Sequence, residues 1–130
     1  MIIKKIILVT LLIPTVLITA LTDDAGAYEH IDQLRQSIAI ANPDVHQLAL
    51  LDSIALLSTN VDSIEKYATL EFNLASSLNN FPYRANAMRH LSWAYLYKNN
   101  IDRAYEQASR ALEIYTSLGD TLNQAYCCAM

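Results

Sequence analysis

Three histidines and two cysteines are the side chains of this 130-residue sequence best suited to hold a metal or move a proton: His30, His46, His90, Cys127 and Cys128. Metal sites readable from sequence take their ligands in close pairs, about two to five residues apart. None of the histidines has a second histidine or a cysteine at such spacing. His30 and Asp32 are two apart and face different sides of a helix. Solvated or hydrogen-bonded histidines are therefore expected, with no metal and no cofactor. Cys127 and Cys128 are adjacent, so on a helix they point about 100° apart. Disulfide geometry is demanding, and the pair reads as small packing residues. No serine, threonine or cysteine stands in a nucleophile motif, and spacing alone picks out no pair of carboxylates. The expectation is that these residues form no enzyme, and that any catalytic domain would lie beyond residue 130.

The elements that must position these side chains are helical. Only two glycines are present, Gly26 and Gly119, with three prolines. Phosphate-cradling loops need several glycines close together, which excludes P-loop and dinucleotide-binding classes. The net charge of -4 argues against nucleic acid, whose binders carry a basic stripe. The length fits at most one domain.

Lys4 and Lys5 precede an apolar run, Ile6–Leu21, and Ala25-Gly26-Ala27 follows two aspartates. A charged start, a short apolar centre and small residues at the end make a secretory signal peptide. Residues 1–27 are thus expected to be cleaved, and the rest to be exported to a periplasmic or other extracytoplasmic space. The alternative is an anchor: residues 6–22 are uncharged, at the short edge of the ~20 residues that span a bilayer.

Residues 28–43 read as an amphipathic helix with a linker, its stripe being Ile31, Leu34, Ile38 and Ala41. Beyond them the sequence repeats. A shift of 40 sets Asp44–Asn80 on Arg84–Asp120, matching Leu51 with Leu91, Asn60 with Asn100, Asp62 with Asp102 and Ala68 with Ala108. Each unit reads as two helices. In the first, Asn42 is a candidate cap ahead of Pro43 and Asp44, and Leu48, Leu51, Ala55 and Leu56 form an apolar face. Thr59-Asn60 turns into a stripe of Val61, Ile64, Ala68, Phe72, Ala75 and Leu78. In the second, Pro82 opens a helix carrying Met88, Leu91, Ala94 and Tyr95. Lys98–Asn100 breaks it, since asparagine tolerates left-handed geometry. The next stripe holds Ile101, Ala104, Tyr105, Ala108, Ala111, Leu112, Tyr115 and Leu118, and Gly119 ends it. Alanines at spacings of four and three let two helix axes approach closely. Hairpins that cannot bury such stripes alone stack on their neighbours.

These residues resemble the tetratricopeptide repeat (TPR) family. With Ala85 in the first position of its motif, Met88, Leu91, Ser92, Tyr95, Ala104 and Ala111 fall on structural positions. Ala108 stands where an aromatic is usual, and the terminal proline is absent. The implied fold is all-α: helical-hairpin repeats in a TPR-like α-solenoid, preceded by a signal-peptide helix. Residues 44–80 form a degenerate repeat and 84–120 a well-matched one, while 121–130 form the truncated start of a third, as in a fragment of a longer protein. The degenerate unit carries Asp52 and Glu71 at positions meant for small residues. Glu71 needs solvent or a partner, because an unpaired buried carboxylate is costly.

The resemblance also implies a groove lined by the first helix of each unit. Its candidate peptide-contacting residues are Asn86, Arg89, Trp93 and Leu96, with His46, Ser53, Ala49 and Leu56 from the first unit. Arg89 beside Trp93 is the expected anchor, or Trp93 packs on a neighbouring helix. The expected role is an exported protein–protein interaction module, the sensory or scaffold N-terminal part of a bacterial signalling protein such as a sensor histidine kinase. The alternative is a small stand-alone structural protein that self-associates through its open repeat edge.

Overall fold

The computed structural model describes residues 23–40 and 44–129, with every regular element among them an α-helix. They are α1 (Asp23–Ile40), α2 (Val45–Leu57), α3 (Val61–Ser77), α4 (Phe81–Tyr97), α5 (Ile101–Leu118) and α6 (Thr121–Cys128). The apolar run Ile6–Leu21 lies outside the described residues. None of the described helices is long and apolar enough to cross a membrane.

Asp23–Ala27, placed in the signal peptide by sequence, forms the first turns of α1. Ile31 is buried on this helix, Leu34 is half-buried, and His30 and Asp32 are exposed. The side chains of Ile38 and Ala41, the rest of the expected stripe, lie outside the described residues. The chain divides within α1 into two compact units, one ending at Gln33 and the other running from Leu34. All that follows concerns the second.

Short polar links set the helix boundaries. Asp44 caps α2 by accepting hydrogen bonds from the amides of His46 and Gln47 at 2.9 and 3.1 Å. The cap is thus Asp44, which the sequence placed after the cap; the candidate cap Asn42, and Pro43, lie outside the described residues. From there the N-caps fall every twentieth residue: Asn60, Asn80, Asn100 and Asp120, each accepting from the amide three residues on. Such a cap contributes about 1 kcal/mol against alanine.

The C-termini share the same period. Asn79, Asn99 and Gly119 adopt left-handed backbone, with φ of 52°, 57° and 70°. In each case the next amide reaches back to a carbonyl five residues earlier: Asn80 to Ala75 (2.8 Å), Asn100 to Tyr95 (2.8 Å) and Asp120 to Tyr115 (2.9 Å). This closure satisfies the last carbonyls and reverses the chain. The link at Ser58 differs, leaving α2 in extended conformation with ψ 132°.

Links this short bring consecutive helices side by side: α2 with α3, α3 with α4, α4 with α5 and α5 with α6, and α2 also meets α4. Burial repeats at a shift of 40. Leu48 and Met88, Leu51 and Leu91, Ile54 and Ala94 are buried pairs, as are Ile64 and Ala104, Ala68 and Ala108, Ala75 and Tyr115. Ala111, with no exposure, sits in a cluster with Ala85, Met88, Tyr115 and Cys127, flanked by Phe72 and Leu112. Ala55, Ala68 and Leu91 form a second cluster, closed by Tyr67 and Tyr95. Ala55, Ala68, Ala85 and Ala111 therefore lie at helix contacts, while Ala104 and Ala108, also buried, line a hollow facing α6.

Five members of the expected stripes face solvent instead: Leu56, Leu78, Ile101, Tyr105 and Leu118. A helix contact buries a narrow stripe, and these positions lie on its margins.

Candidate functional site

Helices α2, α3 and α4 each send one ionisable side chain into the same interior volume. Asp52 comes from α2, Glu71 from α3 and His90 from α4. Glu71 and His90 have no exposure, while the Asp52 side chain keeps 24%. His90 Nδ1 lies 3.5 Å from Glu71 Oε2 and 3.8 Å from Asp52 Oδ1. Both distances are too long for a hydrogen bond. Within the repeat, Asp52 stands where the second unit has Ser92, and Glu71 where it has Ala111. Those two residues are buried and small. The repeat positions that hold a serine and an alanine in one unit hold two carboxyls in the other.

Arg89 lies along the cluster, only 9% exposed. Its Nη2 is 3.4 Å from His90 Nε2, and its guanidinium stacks over Trp93 and Tyr126 at 5.0 and 5.8 Å. On the same side, Tyr115 donates to Asn86 Oδ1 at 2.7 Å, and Asn86 also hydrogen-bonds Asp52.

Electrostatics fixes the charge states. Burial above all, then the neighbouring Asp52 carboxylate, pushes Glu71 up to about 10. Burial and then the Arg89 charge press His90 down to about 3. Burial also raises Asp52, against the pull of Arg89, Glu71 and Asn86. At neutral pH Glu71 thus keeps its proton beside Asp52 and His90 is neutral, while Arg89 draws Asp52 back towards its ordinary value. The His90–Glu71 contact is not an ion pair.

His90 is hydrogen-bonded, as one of the two expected alternatives has it, through Nε2 and Arg89; it is sealed from water, and its Nδ1 lacks a hydrogen-bond partner. Solvent does not rescue Glu71 either; Asp52 and the retained proton do. Asp52, Glu71 and His90 are 19 residues apart at each step, so no local spacing reveals them. The available signal was the pair of acidic departures from small repeat positions.

The sequence-derived groove residues divide. His46 and Leu96 are exposed, and Ser53 is half-buried, its Oγ donating to Ala49 O at 2.8 Å. Asn86 is half-buried and Arg89 buried, both engaged inside the protein. Trp93 is half-buried and lines a hollow of about 430 Å³ with Ala55, Leu56, Val61, Ile64 and Tyr97. The remaining histidines, His30 and His46, are exposed. Cys127 is buried and Cys128 exposed, both as free thiols. Comparison with protein-family models, with curated proteins and with solved structures returns no match.

Proposed function

We propose that this chain is a helical-repeat module of TPR kind that binds a protein or peptide segment along the face formed by α2 and α4. The observation carrying this reading is the recurrence of burial and of turn geometry across the two hairpins. It spends the small residues on helix contacts and leaves first-helix side chains free to meet a ligand. Among those, Leu56 is 54% and Tyr97 71% exposed, and with Trp93 they border the 430 Å³ hollow. A peptide presenting a bulky aliphatic or aromatic side chain fits this apolar hollow, and buried Trp contacts dominate binding energy. Arg89 supports Trp93 from below by stacking, so it positions the anchor.

The place of the module in an exported sensory region of a longer bacterial signalling protein rests on the TPR resemblance and on the signal-like N-terminus. A pull-down from the periplasmic fraction tests both parts. Trp93→Ala and Tyr97→Ala, both at the 430 Å³ hollow, should each weaken retention of a captured partner. Capture with unaltered affinity by both variants would overturn the groove assignment. Arg89→Ala is a poor probe, because it would strip Asp52 of its charge partner.

Self-association through the outer edge is the second reading. It draws on a hollow of about 310 Å³ between α5 and α6, lined by Leu96, Tyr105, Ala108, Leu112 and Cys127 among others. Tyr105, in its lining, is 75% exposed. Sedimentation separates the two readings, since Tyr105→Glu would dissociate copies without touching the Trp93 hollow.

A further inference from the structure

We infer that Asp52, Glu71 and His90 form a binding site for a divalent transition-metal ion of zinc type. Their three ligand atoms all lie within 4.8 Å of one another. The spacings of 3.5 and 3.8 Å around His90 Nδ1 are too long for hydrogen bonds. Bonds of about 2.0–2.2 Å to zinc, set tetrahedrally, give ligand-to-ligand edges of about 3.3–3.6 Å. Small shifts would bring all three atoms onto one ion. Asp52 Oδ1, both Glu71 oxygens and His90 Nδ1 are sealed from solvent with no donor or acceptor offered by the rest of the protein. Even with one proton shared between the carboxyls, His90 Nδ1 stays unsatisfied, and buried polar atoms in that state call for an explanation.

The donor set selects the ion. Two carboxylates and an imidazole suit zinc and its neighbours, and the ion would displace the proton held between the carboxyls. Magnesium retains several waters and prefers octahedral oxygen cages, which an interior of three packed helices does not supply. Asp52, the one partly exposed ligand, marks the way in, and a water would complete the fourth position.

Arg89 works against the ion. Its charge faces the site, and its Nη2 approaches His90 Nε2 as a donor, which favours the tautomer with the proton on Nδ1. Metal binding needs the other tautomer. Arg89→Gln removes the charge and supplies an amide oxygen able to accept from Nε2–H, as metal-bound histidines usually require.

The test is titration of Zn²⁺ alone into the full chain after chelator treatment, by calorimetry and thermal unfolding, with circular dichroism confirming that each variant folds. The expected result is one ion per chain with Kd at or below about 100 µM and a rise in Tm. Asp52→Asn and Glu71→Gln should each weaken binding by about a hundredfold. Arg89→Gln should tighten it. Replacing both cysteines by serine should leave it unchanged. No saturable binding, equal binding by the Asp52 and Glu71 variants, loss with the cysteines, or equal affinity for Mg²⁺ would each overturn the assignment. Asp52→Asn, at the partly exposed position, is the variant best placed to fold if Glu71→Gln does not.

Discussion

Glu71→Gln should make the metal-free protein more stable, and the gain should grow with pH. Glu71 has no exposure, and its carboxyl is held at about 10 against an ordinary 4.5. Over that window the unfolded chain ionises the group while the folded chain keeps its proton. The folded value is raised, so the stability it contributes is fully present below pH 4.5 and lost as pH climbs towards about 10. The loss runs at about 1.4 kcal/mol per pH unit. His90 has the opposite sign: lowered from 6.5 to about 3, it contributes fully above pH 6.5 and loses that contribution as pH falls towards about 3. Between pH 4.5 and 6.5 the two slopes cancel, and above 6.5 only that of Glu71 remains. Asp52, raised as well, acts in the same sense as Glu71 at the acid end. At pH 7.5 the carboxyl of Glu71 therefore costs about 4 kcal/mol relative to pH 4.5, a large part of a typical domain's stability. Glutamine keeps the shape of the protonated acid, can still donate to Asp52, and has nothing to ionise. Urea unfolding followed by helical circular dichroism, with chelator present, should show wild-type stability falling from pH 6.5 to about 8.5 while the variant stays level. Parallel curves, or a destabilised variant, would mean that Glu71 is ionised and paired with a charged His90. The reasoning would then fail.

Three further outcomes follow from the packing. Ala111→Leu should cost about 1–3 kcal/mol by overpacking, while Ala108→Leu should cost less because Ala108 borders the α5–α6 hollow; equal losses in denaturant midpoint would refute the distinction. Gly119 has φ 70° and open space where a Cβ would go, so Gly119→Ala should lose about 1 kcal/mol from backbone strain alone. Asn99→Gly, at φ 57°, should gain a few tenths of a kcal/mol in the same assay. Tyr115→Phe removes the donor to Asn86 and should cost about 0.5–1.5 kcal/mol, read as a drop in thermal midpoint.

Much of the local architecture was legible in the residues. The turns at Thr59-Asn60 and Lys98–Asn100 and the Gly119 terminus were readable from the turn preference of asparagine and the backbone freedom of glycine. The capping role of Asn60, Asn80 and Asn100 emerged only with the structure. Helix type followed from period, since Met88, Leu91 and Ala94 share one face whatever they pack on. The alanine stripe said that helices would approach closely at 104, 108 and 111. In sequence Glu71 was legible only as a misfit, and His90 as an ordinary surface or hydrogen-bonded histidine.

What the sequence determined by itself is the helices and where they stop, because hydrogen bonding and capping act over four or five residues. Which side chains meet across those helices was decided only by tertiary structure. Asp52, Glu71 and His90 come together because α2, α3 and α4 pack at the small-residue positions, and the same contact removes the water that would otherwise have ionised Glu71. Burial and charge are properties of that shared interior volume, so neither the proton on Glu71 nor the turning inward of Arg89 is written in any single stretch of chain.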